Sequence, residues 1–404
     1  MKPPVANSST SAPRQWDCDT LNRLRFSSYH VPMSKKKKSV TTPDHLKARI
    51  KSLQTRLRDA NLDGLLVSNP VDIRYLSGFV GDDSWLLVRS RSSIVHILSD
   101  FRFDEQIANE APHAKAIMRK TTLSKELKKL VDKCKLEKIG MQQDDLTIAQ
   151  SKTITKELGR SCVKAIDDGL LIQRAVKDKT EVKPILKALD IQQEAFKRIC
   201  EYIEPGMTEY QIAAYLEYQM RSLGADGTSF PSIVAADANA SLPHAIPGKK
   251  KVRKGGIILI DWGAKLGGYC SDLTRVIAIG KMPARIKEIY QICLDAQMAA
   301  IDAIKPGIKL SDVDAVARDI ITKAGYGKQF GHSLGHGIGL DIHEQPVLAS
   351  RAQGVLEPGH IVTVEPGIYL PGIGGVRIED DVEVTARGKK VLSDLPKTLE
   401  STII

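Results

Sequence analysis

The sequence predicts an α+β protein whose larger part is an internal two-fold repeat, preceded by a smaller α/β domain. Three observations lead there. Two strand–turn–strand patterns rich in glycine, at residues 256–279 and 359–380, lie about a hundred residues apart. Two Pro-Gly pairs, Pro205-Gly206 and Pro306-Gly307, recur at the same interval, each followed by a helical run. Ahead of both, residues 44–170 carry strand-like and helical runs in a mixed order.

Residues 1–43 are rich in Ser, Thr, Pro and Lys and have no apolar core segment, so they read as a disordered basic tail rather than a secretory signal. They hold eight Lys/Arg against two Asp, so more than half of the chain's +11 net charge sits there. The rest is only mildly basic, and nucleic acid is not an expected partner. The run at residues 35–38 is a solvated basic linker or, alternatively, a nuclear-type patch. Met33 just before it offers an alternative start. The remaining composition, 42% apolar and 26% charged in 404 residues, suits two globular domains. No stretch approaches the roughly 20 apolar residues of a membrane span. Six scattered cysteines, with no C-x-x-C pair, suit free thiols in a reducing cytoplasm.

From residue 44 the elements follow in order. Leu46, Ile50, Leu53 and Leu57 form one face of a helix. Residues 64–67 read as a strand broken by Asn69-Pro70, and residues 85–88 and 94–98 as further strands. Residues 125–135 form a charged amphipathic helix. A catalytic domain is expected over 171–404, opening with a linker helix over 172–203 that Pro205-Gly206 ends. Thr208 then caps a helix running to Leu223. Residues 286–304 repeat the helical run, and Ser311 repeats the cap.

The chemistry lies in the two hairpin patterns. In 256–279 an apolar strand leads to Asp261, a turn at Gly263, Gly267 and Gly268 follows, and a second strand carries Asp272. In 359–380 the same design places Glu365 and Glu379 on either side of a Pro/Gly-rich turn. Acids facing each other across paired strands repel. One such acid beside a glycine is ordinarily a turn residue. Four of them, on apolar strands with matched turns, point to a cage for cations. A fifth donor comes from residues 330–346, where His332, His336 and His343 stand among Gly331, Gly335, Gly337 and Gly339. Those glycines argue against a helix. His336 is taken as the ligand, with His332 and His343 either supporting the ligands or facing substrate. Four carboxylates and one imidazole suit two divalent ions, manganese first, with cobalt, zinc or iron as alternatives.

At these residues the chain resembles the pita-bread metallopeptidases, the group of Xaa-Pro aminopeptidases, prolidases, methionine aminopeptidases and creatinases. The match runs over about residues 45–400 and is densest over 231–381. Residues 73–79 and 100–102 resemble the creatinase-like amino-terminal domain, which implies a homodimer. The resemblance implies that Asp261 chelates one metal, that Asp272 and Glu379 bridge two, and that His336 and Glu365 complete the other. It makes His244, in the segment 232–247, a substrate-binding histidine, and His332 and His343 the other two histidines of the proline-specific branch. Arg377 and Tyr369 fall at matching supporting positions.

The intact ligand set separates the chain from creatinases, and the amino-terminal domain from methionine aminopeptidases. The implied activity is hydrolysis of peptides with proline second. Glu365 would move the water proton to the leaving nitrogen, and His244 and His343 would bind the carbonyl oxygen. Some prolidases have an Arg four residues after the equivalent of His343 for the dipeptide carboxylate. Here that position is Val347, with Arg351 a possible substitute, so an Xaa-Pro aminopeptidase is the expectation and a prolidase the alternative. A non-catalytic binding protein is a third reading, disfavoured by the intact ligands. Asp237-Ala238 replaces a Gly-Pro-like pair, either as a loop variant or as an acid for a substrate amine.

Overall fold

The computed structural model describes residues 41–167 and 169–404. The basic run at 35–38, Met33 and Cys18 lie outside the described residues. Helix α1 (Asp44–Asp59) buries the expected stripe of Leu46, Ile50, Leu53 and Leu57. Strand β1 (Gly64–Val67) follows. Asn69 then starts α2 (Pro70–Ser77) rather than breaking the chain. Its side chain accepts the amides of Val71 and Asp72 at 2.9 and 3.2 Å, and proline suits the first helical position. Next come β2 (Trp85–Arg89), β3 (His96–Ser99), α3 (Asp104–Glu110), β4 (Lys115–Met118), α4 (Leu123–Lys133), β5 (Ile139–Gln142), α5 (Ile148–Leu158) and β6 (Val163–Ile166). The six strands make one sheet in the order β4-β3-β2-β1-β5-β6. Its centre is mixed, with β1 antiparallel to β2 and parallel to β5. Helices cover both faces, which is why β1 is apolar at four successive positions.

The expected linker helix is two helices, α6 (Leu170–Ala175) and α7 (Lys179–Tyr202). The first ends at Ala175, and Asp178 caps the second in a reciprocal box with Glu181. Helix α8 (Glu209–Ser222) starts from Thr208, which forms the same kind of box with Gln211. The first half of the repeat continues through β7 (Gly227–Thr228), β8 (Ile233–Ala236), β9 (Ile257–Trp262), β10 (Ala264–Leu266), β11 (Tyr269–Cys270) and β12 (Leu273–Ala278). The second half is α9 (Ala284–Ala303), α10 (Leu310–Lys323), β13 (Gly335–Gly337), β14 (Glu344–Leu348), β15 (Ile361–Val364), β16 (Gly367–Leu370), β17 (Gly374–Arg377), β18 (Asp380–Thr385) and β19 (Gly388–Val391). No helix among the described residues is long and apolar enough to cross a membrane.

Each half holds a long hairpin of two parts. An outer ladder (β9 with β12; β15 with β18) gives way to an inner one (β10 with β11; β16 with β17). The acids stand where outer gives way to inner. Each half backs its strands with a helix pair, and the core beneath α9 and α10 also takes in Leu259 and Val276 of the first half. In the first, Phe196 of α7 stacks on Trp262 at 4.6 Å, and the indole N–H donates to the Gln192 carbonyl at 3.0 Å. Trp262 adjoins Asp261, so this contact fixes the end of β9. Phe196→Ala is expected to cost about 3–5 kcal/mol in urea unfolding. A cost under about 1 kcal/mol would mean the stack contributes little.

Candidate metal centre

The two-part hairpins bring the acids together. Asp261 pairs in register with Thr274, so Asp272, two residues before Thr274, is its diagonal neighbour on the same face. The sequence expectation of directly opposed aspartates is corrected to that extent. Glu365 and Glu379 come one residue after β15 and one before β18, where Val364 pairs with Asp380. There the ladder opens. The Glu379 amide donates instead to the Thr274 carbonyl at 3.2 Å, and the Glu365 amide to the Leu334 carbonyl at 2.8 Å. The Glu379 bond links the two halves of the repeat at the point where their acids converge.

Ligand atoms of Asp272, His336 and Glu379 lie within 4.8 Å of one another. His336 Nε2 stands 3.7 Å from Asp272 Oδ2 and 3.4 Å from Glu365 Oε1. The other ring nitrogen, Nδ1, donates to the Gly337 carbonyl at 3.1 Å. That bond leaves the Nε2 lone pair facing the carboxylates, as a metal ligand requires. Burial lowers the imidazole pKa to about 4, so the ring is neutral and offsets none of their charge.

The only cation among the described residues lining the site is Arg377, and its guanidinium is committed. It pairs with Asp261 Oδ2, donates to Thr274 Oγ1 at 3.0 Å, and reaches the Tyr369 hydroxyl at 2.9 Å and the Pro243 carbonyl at 3.3 Å. One guanidinium faces four buried acids. Burial, then repulsion from neighbouring carboxylates, raises Asp272 and Glu379 well above the usual carboxylate range. Burial also raises Asp261 against the pull of Arg377, and lifts Glu365 to about 8. Asp261 Oδ1 and Asp272 Oδ1 are buried with no hydrogen-bond partner. Two orphaned carboxylate oxygens, a correctly turned imidazole and uncompensated negative charge fit divalent cations.

This sets a pH dependence. A carboxyl raised in the fold holds its proton where the unfolded chain has lost it. Its contribution therefore declines as pH rises from about 4.3 through its folded value, by up to about 1.4 kcal/mol per pH unit. For Glu365 that window closes near pH 8. Chelator-treated protein is expected to melt at progressively lower temperature from about pH 5 to about pH 8, and excess Mn2+ to remove the decline. A flat melting profile in chelator would contradict this electrostatic account.

Beside the acids opens a cavity of about 600 Å3. His244, His332 and His343 line it together with apolar groups including Phe230, Pro243, Ile246, Ile342 and Val347. The His343 ring stands edge-on to His336, with centroids 4.4 Å apart. His332 is tied at both nitrogens. Nδ1 donates to the Ser333 carbonyl at 2.8 Å, and Nε2 accepts from the Tyr369 hydroxyl at 2.9 Å. Arg318, paired with Asp314 in α10, holds the segment from behind through the Phe330 and His332 carbonyls at 3.0 and 2.8 Å. The five candidate ligands, the three other histidines, Arg377 and Tyr369 thus gather at one site.

Three further residues take part. Thr274 Oγ1 donates to Glu379 Oε2 at 2.7 Å, and Thr363 Oγ1 to Glu365 Oε1 at 3.3 Å. Each threonine stands two residues from a candidate ligand, so strand alternation was the signal for it. Asp381 accepts the Asp272 amide at 3.2 Å, and nothing in the sequence distinguished it from its neighbour Asp380. Asp237 opens a short 3-10 turn (Asp237–Ser241) and does not line the cavity: its carboxylate binds the Arg253 guanidinium at 2.8 Å and the Ile257 amide at 3.1 Å. Arg351 is exposed and does not line the cavity.

The doubled hairpins, their helix pairs and the acid–histidine cluster define a pita-bread metallohydrolase. Comparison gives the family: residues 183–386 match metallopeptidase family M24, and residues 49–176 the creatinase/prolidase N-terminal domain. The chain belongs to family M24. An Xaa-Pro dipeptidase of Pyrococcus horikoshii is 33% identical over 359 residues, covering 88% of this chain and 99% of its own. The structure of an Xaa-Pro dipeptidase from Bacillus anthracis superposes with a TM-score of 0.85 at 38% identity, covering 89% of this chain and all of that one. The structure of an X-Pro aminopeptidase from Thermotoga maritima gives 0.80 at 36% identity, covering 86% and 100%. The family implies divalent metal ions.

Proposed function

We propose that the protein is a dinuclear-metal peptidase that cleaves Xaa-Pro dipeptides, with manganese as the working ion. The observation that carries the reading is the four-carboxylate, one-imidazole cluster opening onto an apolar, histidine-lined cavity. The relatives named above, two of them Xaa-Pro dipeptidases, favour the dipeptidase over the aminopeptidase that the sequence first suggested. Asp261, Asp272, His336, Glu365 and Glu379 are the proposed ligands. Bound divalent ions supply a water acidified toward neutrality and polarise the scissile carbonyl.

The protein's own groups do the rest. Glu365 accepts the water proton and delivers it to the departing proline nitrogen. His244 and His343, whose ring nitrogens have no hydrogen-bond partner among the described residues, donate to the carbonyl oxygen as charge develops on it. The peptide nitrogen of proline carries no hydrogen, so the ring is recognised by shape, through His332 and the apolar wall. Arg377 and Tyr369 hold Asp261 and His332 in position.

A second reading, an Xaa-Pro aminopeptidase for longer peptides, is favoured by Val347 and by a lining that offers no free cation for a dipeptide carboxylate. Comparing an Xaa-Pro dipeptide with the matching Xaa-Pro-Yaa tripeptide, with Mn2+ or Co2+ added, separates the two. Faster dipeptide turnover is expected, and turnover of the tripeptide alone would establish the second reading. The proposal includes a homodimer and a reducing cytoplasmic setting, in keeping with the free thiols of Cys134, Cys162, Cys200, Cys270 and Cys293.

A further inference from the structure

His343 reaches the cavity from the short segment between β13 and β14, and among the described residues its ring makes no hydrogen bond. It rests edge-on to His336, and the backbone on either side sets the rest of its position. The next residue, Glu344, is 5% exposed and held from two directions. Arg174 of α6 binds Glu344 Oε1, and Lys177, in the break between α6 and α7, binds Oε2 at 2.9 Å. The Arg174 fork also takes Asp341 Oδ2 at 2.6 Å, and its other arm takes Asp72 Oδ1 of α2 at 2.9 Å. Glu344 Oε1 closes the segment on itself by accepting the Asp341 amide at 3.1 Å. A Cβ on Gly339 would come within 2.5 Å of the Glu344 carboxylate, so the backbone is packed directly onto this ion cluster.

We infer that Arg174, together with Lys177, is a positioning residue for His343, so that elements outside the catalytic repeat set the geometry of the candidate carbonyl-binding histidine. The inference rests on the peptidase reading for its consequence in turnover, but the anchoring stands on the contacts themselves. A guanidinium is required because three carboxylates are gathered by one planar fork. A lysine at the same place keeps the charge and reaches fewer of them. Arg174 touches neither the proposed ligands nor the cavity, so its loss should loosen one wall of the site and leave the metals in place.

The experiment compares wild type, Arg174→Lys, His343→Ala and the double variant, all loaded with Mn2+. R174K is expected to lower kcat on an Xaa-Pro dipeptide about tenfold, with KM within about twofold and metal content unchanged, because misplacing one group weakens the transition state more than binding. Hydrogen exchange of amides 339–344 is expected to quicken. In the His343→Ala background R174K is expected to cost less than twofold more, since both changes remove the same interaction. Should R174K fail to fold, Asp341→Asn removes the charge from one of the three acceptors at a half-exposed position and is expected to act in the same direction. Wild-type kcat and exchange in a folded variant, or full multiplication of the two losses, would overturn the inference. A wild type with no Xaa-Pro activity would remove the peptidase reading, and the exchange measurement would still decide the anchoring.

Discussion

Asp272→Ala is expected to abolish hydrolysis of Xaa-Pro substrates, leaving the rate no higher than that of the chelated enzyme. Its carboxylate has one oxygen 3.7 Å from His336 Nε2 and the other buried without a partner. Four like charges act against it, from Glu379, Asp261, Asp381 and Glu365. Removing it takes a ligand from the centre of the cluster and also relieves repulsion. Activity and stability should therefore move in opposite directions. Metal-free Asp272→Ala is expected to melt above metal-free wild type near pH 8, while Mn2+ stabilises it far less. Metal analysis, melting curves and peptide assays on one preparation test all three effects. Full activity in the folded variant would refute the metal mechanism.

The second large effect is expected from Glu365→Gln. The amide keeps the shape, and so the contact with Thr363, but cannot carry a proton. Asp272, His336 and Glu379 still lie within ligand distance of one another, so the variant is expected to retain divalent ion. General acid–base catalysis of this kind contributes about 10²–10⁴-fold, and kcat is expected to fall by that factor with KM little changed. A fall of less than about tenfold in the metal-loaded variant would assign the proton transfer to another group.

The site was more legible in the sequence than its supports. The two acid pairs, the histidine segment and the hairpin repeat follow from residue type and turn chemistry, both of which are local. What lay outside that reach was set by distant pairing. Ser311 looked like a helix cap, yet α10 starts from Lys309, which bridges Val355 as Thr208 bridges Lys251 in the first half. The repeat preserves the place of the cap, three residues after each Pro-Gly proline, but not its side chain. Strand pairing fixes that helix start, so no capping signal was needed there. The sequence expectation runs one helix through the break between α6 and α7, although Asp178 and Glu181 have the spacing of a capping box. The Arg174 cluster was not legible, because its partners stand up to 170 residues apart.

The hydrogen bonds of His332 also bear on selectivity. With both nitrogens spent on Ser333 and Tyr369, the ring presents only carbon to whatever lies in the cavity. Such a wall measures bulk and contour and is blind to polarity. Proline analogues that swap a ring carbon for sulfur should pass nearly as well as proline, whereas a six-membered homologue should be refused for its girth.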